Sequence, residues 1–363
     1  EGNVLGIDYK FPEGAARFNK SHINLISLLR EFNLLDFRKD KGMIPHTKFI
    51  DSKNMFKGYD KYENGYIFVD KIINESKRYK DIDLKGMSFK ELGEILLKKN
   101  DLDYMLMSCG YSGQLNNMNA YDCIKLFKRD IRVDIEFLGG KYDILIEEMI
   151  KSMKGYNMRT GCNVRNILRD NNKYKLIVNN KNVYSKRLIF CVPKESLLRF
   201  KILNPIREIL ERSITTKPLC RLYAIFKKED IWFKDIKKKI VTNNDLRYII
   251  PMDAEKGLIM ISYTDDKYTK KWVGMSDNDK KIKIVRDVKK VFGIDINKPY
   301  KVIECNWKSG VGYWNKGIDS DLCYELLLNP LENIYICGEN YSKRQSWVEG
   351  ALESSLDCIK KIQ

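Results

Sequence analysis

The stretch that most constrains how this chain can fold lies near its end. Residues 334–358 read IYICGENYSKRQSWVEGALESSLDC. A short apolar strand runs into Gly338-Glu339, a polar loop follows, and the small pair Gly350-Ala351 is expected to open the last helix. The first turn of a helix carries unpaired N–H donors and the positive end of the helix dipole, so this arrangement can aim donors at an electron-rich group. Gly350 and Ala351 would let such a group come close to the backbone.

Other segments carry periodic signals. Ser21 is the expected cap of a helix with Ile23, Ile26, Leu29 and Phe32 on one face. Residues 50–133 read as mixed, with helical patterns near 88–99 and 119–128. Gly139-Gly140 precedes a helix with Ile144, Leu145, Met149 and Met153 on its apolar face. YKLIVNN (174–180) and NVYSKRLIFCVP (182–193) predict a hairpin returning to a buried strand that stops at Pro193. Residues 219–226, 257–263 and 300–307 predict further strands. Residues 277–292 predict a helix capped by Ser276 and ended by Gly293, with Ile284, Val285, Val288, Val291 and Phe292 on one stripe. Strand and helix alternate at both ends, which predicts an α/β protein with a mixed region between.

A chain of 363 residues with 44% apolar content fits two packed domains or one domain with a large insertion. The formal charge of +17 reads either as a solvated lysine-rich surface or as attraction to an anionic partner, such as nucleic acid, a capsid interior or a membrane face. The longest basic run, Lys237-Lys238-Lys239, is short, and no nucleic-acid-binding motif is present. Nine cysteines without a CxxC pair suit reduced thiols, hence an intracellular, reducing, cytoplasmic setting or packaging in an intracellular assembly. No 18-residue apolar stretch occurs, so no transmembrane helix is expected, and no signal peptide is read. His22 and His46 are the only histidines, too few for a zinc site or a histidine-based triad; His22 is expected to pack or cap near a helix start.

The closing string resembles the C-terminal flavin-binding signature of the flavin-containing amine oxidases, the monoamine and polyamine oxidase family. The matching positions are Gly338, Glu339, Trp347, Glu349, Gly350 and Ala351. Four more segments follow in the family's order. EGAARFNKSHINLISLLREFNL (13–34) resembles the loop passing the flavin ring and the first substrate-side helix. FLGGKYDILIEEMIKSM (137–153) resembles the turn before the second half of the flavin domain. The string 161–193 resembles the strand around Val164, the hairpin and the strand ending in Val-Pro. WKSGVGYWNKG (307–317) resembles the aromatic loop over the flavin. The GxGxxG turn of the family, which cradles the cofactor pyrophosphate, and the first βαβ unit have no counterpart in this sequence; three explanations stay open, a unit outside this sequence, one supplied by another chain, or one lost in evolution.

The resemblance implies a two-domain fold. The FAD domain would be Rossmann-like and assembled from 1–50, 134–204 and 305–363; the mixed sheet/helix substrate domain would be 51–133 and 205–304. It implies FAD as cofactor, with Gly14, Ala15, Ala16 and Arg17 at the ring, Val164 at the adenine, and Gly338 and Glu339 at the ribityl and phosphate region. Trp307, Val348 and Ala351 join this set. Trp347 would form one aromatic wall, and Tyr313 or Trp314 the other. Ser309 falls near the position where monoamine oxidases attach flavin through cysteine, so the flavin would be noncovalent. Arg221 falls where many relatives use a lysine beside the flavin; arginine is bulkier and does not deprotonate at neutral pH.

Three functions follow as expectations. The first is oxidation of a small-molecule amine to an imine, with O2 as acceptor and H2O2 as product. The second is a catalytically degenerate relative serving as a basic structural or binding component of a larger assembly. The third is a flavin enzyme of the desaturase or mutase type.

Overall fold

The apolar runs at 219–226, 257–263 and 300–307 become long neighbouring strands, and the alternation within them sorts side chains to two faces. The computed structural model describes residues 2–4, 7–35, 47–131 and 137–363; His46 lies outside them. In chain order its strands are β1 (Gly2–Val4), β2 (Ile7–Tyr9), β3 (Arg17–Asn19), β4 (Thr47–Ile50), β5 (Phe137–Gly139), β6 (Val164–Asp170), β7 (Lys173–Val178) and β8 (Lys181–Ser185). There follow β9 (Leu188–Phe190), β10 (Ile214–Ile225), β11 (Lys239–Thr242), β12 (Tyr248–Asp253), β13 (Leu258–Asp265), β14 (Lys301–Trp314) and β15 (Ile334–Ile336).

Six of these make the main sheet, in the order β14-β10-β13-β12-β11-β4. All neighbours are antiparallel except β11 and β4. On one face Cys220, Leu222 and Ala224 of β10 and Ile259 and Ile261 of β13 pack against Trp272, Ile284, Val288 and Val291. The last three lie on the helix Asp277–Phe292, which Ser276 caps through its hydroxyl and Gly293 ends in a left-handed conformation, as its sequence predicts. The other face carries Leu219, Arg221 and Lys239. It meets a layer of short helices between Tyr66 and Leu126, whose core includes Phe68, Ile72, Phe89, Leu92 and Met105 together with Val241, Val311 and Tyr313 from the sheet.

A second core surrounds the parallel pair β9–β15, with the meander β6-β7-β8 beside it. The hairpin β7-β8 and the returning strand β9 are where their turn residues predict, but β9 ends at Phe190 and buries only Leu188 and Phe190. The sequence-based domain boundaries at 50 and 305 fall inside the main sheet: β4 ends at Ile50, and β14 runs unbroken from Lys301 to Trp314.

The first helix spans Ile23–Glu31 and does not take Ser21 as its cap. The Ser21 hydroxyl donates instead to Asn19 Oδ1. The residue at the N-cap is His22, and the helix N-terminus is satisfied from far away in sequence. The Glu349 carboxylate, fully buried, accepts from the N–H groups of Asn24 and Leu25, each at 2.9 Å. An anionic acceptor at these donors also matches the helix dipole.

Candidate functional site

Between the main sheet, the short-helix layer and the start of the closing helix lies a cavity of about 500 Å³, within the size range of small-molecule sites. Its walls come from segments far apart in the chain: 13–17, Thr47, 63–66, Tyr111, β10–β14, Glu339 and 346–351. Gly14, Ala15, Ala16, Arg17, Arg221, Trp307, Tyr313, Glu339, Trp347, Val348 and Ala351 all line it. Val164 and Gly338 do not: Val164 sits on β6 in the meander, and Gly338, at φ +132, forms the turn that delivers Glu339. Trp314 is fully buried in the second core, its indole N–H donating to the Ser342 carbonyl. Adjacent strand residues face opposite ways, so only Tyr313 of this pair reaches the cavity.

The closing helix, Val348–Ile362, begins two residues before Gly350. Trp347 is its N-cap in an extended conformation, so the first helical N–H groups belong to residues beside the cavity. Gly350 serves packing rather than ligand approach: a Cβ there would lie 2.1 Å from the Arg344 carbonyl oxygen.

One buried ionic cluster fixes this corner. The Arg344 guanidinium donates to Asp130 through Nε at 3.0 and 3.1 Å, and His22 Nε2 lies 3.1 Å from Asp130 Oδ1. Asn19 Nδ2 donates to the same carboxylate at 3.2 Å. Burial pushes the Asp130 carboxyl up, but the His22 and Arg344 hydrogen bonds outweigh it and hold it below the ordinary range. His22 then meets the Trp347 ring edge-on at 4.9 Å, and the Arg17 guanidinium lies 5.6 Å from the same ring on the cavity side.

The opposite wall is tyrosine-rich. Tyr111 lies 5.0 Å from Tyr248 and 5.8 Å from Tyr263, and Tyr66 and Tyr313 complete the set. Burial pushes the phenols of Tyr66, Tyr248 and Tyr313 far up and that of Tyr111 to about 12, so all four are neutral at physiological pH. Burial likewise raises the Glu339 carboxyl, although it accepts from the Ser346 N–H and the Asn340 amide.

Two cations on the wall behave differently from the sequence expectation. Arg221 reaches the cavity, but its Nη1 donates to the carbonyls of Pro12 at 3.0 Å and Glu13 at 3.2 Å, and to that of Gly14. It clamps the 12–14 loop, stacked 4.7 Å from Tyr263, and is a positioning residue in this arrangement. Lys239, the end of the longest basic run, is 7% exposed. It shares the cavity-side face of β11 with Val241, while Ile240 points to the opposite core. Burial first, and Arg17 nearby second, push its ammonium down to about 7.

The lining fits the ring end of a flavin. Small residues 14–16 and Ala351 line it, the closing helix begins at its edge, and Tyr313 and Trp347 supply aromatic walls. No cysteine lines the cavity among the described residues. A glycine-rich strand-to-helix phosphate turn is absent from them, so the fit concerns the ring and not the pyrophosphate.

A family model of flavin-containing amine oxidoreductases matches residues 121–358, well over half of the chain. The chain belongs to that family. Its fold is also that of solved putrescine oxidase structures from work on redesigned cofactor binding. A double mutant of that enzyme superposes with a TM-score of 0.72 at 13% identity, covering 96% of this chain and 88% of that one. A single mutant gives 0.74 at 13% identity, with 97% and 88% covered. No curated protein sequence matches the chain.

Proposed function

We propose that this protein binds FAD noncovalently with its ring system in the cavity and oxidises a small amine to an imine, with O2 as acceptor. The substrate loses one C–H and one N–H, and O2 gains both hydrogens and two electrons as H2O2. The observation that carries the reading is the convergence of residues 14–17, Trp307, Tyr313, Glu339 and 346–351 on a single cavity. Bound flavin would supply the two-electron acceptance at the α-carbon.

The chain's own residues account for the rest. Trp347, Tyr313 and the neutral tyrosines exclude water and hold the amine against the ring. Lys239, near half-protonated at neutral pH, can accept the proton that an arriving ammonium must lose before oxidation. Arg221 keeps the 12–14 loop in place. The absence of a thiol from the lining supports noncovalent attachment.

The test is purified protein supplied with FAD and a panel of primary and secondary amines, read by visible absorbance and peroxide release. A flavin spectrum with peroxide from at least one amine is expected. Absence of a flavin spectrum at saturating FAD would overturn the reading. The engagement of Arg221 with loop carbonyls, where relatives place a lysine, favours a second reading: a noncatalytic basic component of an intracellular assembly. That reading requires salt-sensitive binding to an acidic partner and no peroxide from any amine.

A further inference from the structure

Outside the cavity, the chain builds a second chemically reactive cluster. β9 and β15 lie parallel with Phe190 opposite Ile336, and the Cys337 N–H donates to the Phe190 carbonyl at 3.0 Å. The next residues in register are therefore Cys191 and Cys337. Their sulfurs lie 3.4 Å apart, 146 residues apart in the chain. Cys191 is exposed and Cys337 is buried. Ser355 of the closing helix donates to Cys337 Sγ at 3.8 Å, and Cys358 borders the same sulfur. Cys337 directly precedes the Gly338 turn, and the turns after the two strands already bond to each other: Tyr341 donates to the Val192 carbonyl at 2.9 Å.

We propose that Cys191 and Cys337 are a peroxide-reactive dithiol that closes to an intrachain disulfide at the carboxyl ends of β9 and β15. One sulfur, as thiolate, attacks the O–O bond of hydrogen peroxide, forming a sulfenic acid and releasing water. The second sulfur displaces the sulfenic oxygen as a second water, and the S–S bond forms. Two thiols lose two hydrogens and two electrons; one H2O2 is reduced to two waters.

Chemistry and position agree on which pair reacts. Loss of the first proton is eased because the remaining S–H and the Ser355 hydroxyl both donate to the sulfur left behind. The exposed Cys191 opens the pair to solvent, and at 3.4 Å each sulfur stands within contact distance to resolve a sulfenic acid on the other before further oxidation. Cys162, the other exposed thiol, has no cysteine contact among the described residues. Closure would covalently join the Cys191–Pro193 turn to the Gly338–Tyr341 turn, which presents Glu339 to the cavity. The step uses peroxide as reagent and does not depend on the proposed amine oxidation.

The test is the full chain titrated with hydrogen peroxide at neutral pH, alkylated, digested and mapped by mass spectrometry. A peptide joining Cys191 to Cys337, reversed by dithiothreitol, is expected to appear before modification of any other buried cysteine. Cys191→Ser, an exposed replacement, should abolish that peptide while leaving the circular dichroism spectrum unchanged. A terminal sulfinic acid on Cys191 without cross-link, or a Cys337–Cys358 link in its place, would overturn the proposal. So would full alkylation of Cys191 after peroxide treatment.

Discussion

The main sheet and the β9–β15 sheet make an instructive pair. The main sheet has six strands, hydrophobic side chains on both faces and helical segments on each side; the cavity lies between the sheet and the short-helix layer. The β9–β15 sheet has two parallel strands, and β9 has no second pairing partner among the described residues. Parallel strands are ordinarily buried on both faces within larger sheets. Here Leu188 and Phe190 are buried while Ile189 between them is 50% exposed. The comparison teaches that the cavity is held by many mutually supporting elements. The β9–β15 pair rests on one side of one strand and on its neighbours behind.

That contrast can be broken at its strongest joint. Arg344→Ala leaves the Asp130 carboxylate buried beside His22 without its main partner, and should cost about 3–5 kcal/mol in chemical unfolding. An unchanged unfolding midpoint would show that the corner is held by packing alone. Trp347→Ala should cost about 3 kcal/mol and remove any flavin spectrum, since it empties one cavity wall at the edge of the helical core. Flavin binding retained at wild-type strength in this variant would detach the aromatic wall from the site.

Lys239→Met sharpens the comparison through pH. The folded-state pKa of about 7 lies below the ordinary 10.5, so the unfolded chain binds the proton more tightly. The resulting destabilisation is fully present below pH 7 and fades as pH rises toward 10.5. The variant should therefore be more stable than the parent by about 2 kcal/mol at pH 6, with the gain shrinking steadily toward pH 10, as read by thermal melts across pH. A gain independent of pH would mean that packing, not charge, is responsible. Glu349→Gln keeps the shape but removes the charge at the first helix's N-terminus and should cost about 1 kcal/mol. The smallest effect is expected on the open side: Ile189→Lys should change stability by less than about 0.5 kcal/mol. A larger loss would reveal that something covers this edge in solution.

The amine-oxidase fold was readable where function concentrates in short strings. The closing turn, residues 14–17 and the aromatic loop each carry a local pattern, and they meet in space. The tyrosine wall was not readable, because Tyr66, Tyr111, Tyr248 and Tyr263 come from separate elements in which a tyrosine is an unremarkable half-buried residue. Lys239 was hidden by its neighbours: counted with Lys237 and Lys238 it looks like a solvated run, and only the period-two geometry of β11 turns it inward. Gly350 illustrates the opposite error. A small residue at a helix start suggests room for a ligand, yet the neighbour it accommodates is the carbonyl of Arg344. The cap of the first helix was not readable for a related reason, since its donors are satisfied by Glu349, more than 300 residues away.

That long-range cap has a bearing on biogenesis. Leu25 leaves the ribosome 324 residues before the carboxylate that completes its helix. The emerging chain must hold this helix and the adjoining 14–17 loop in waiting until Glu349 has been made, and only then can the two segments be fastened and the cavity take shape.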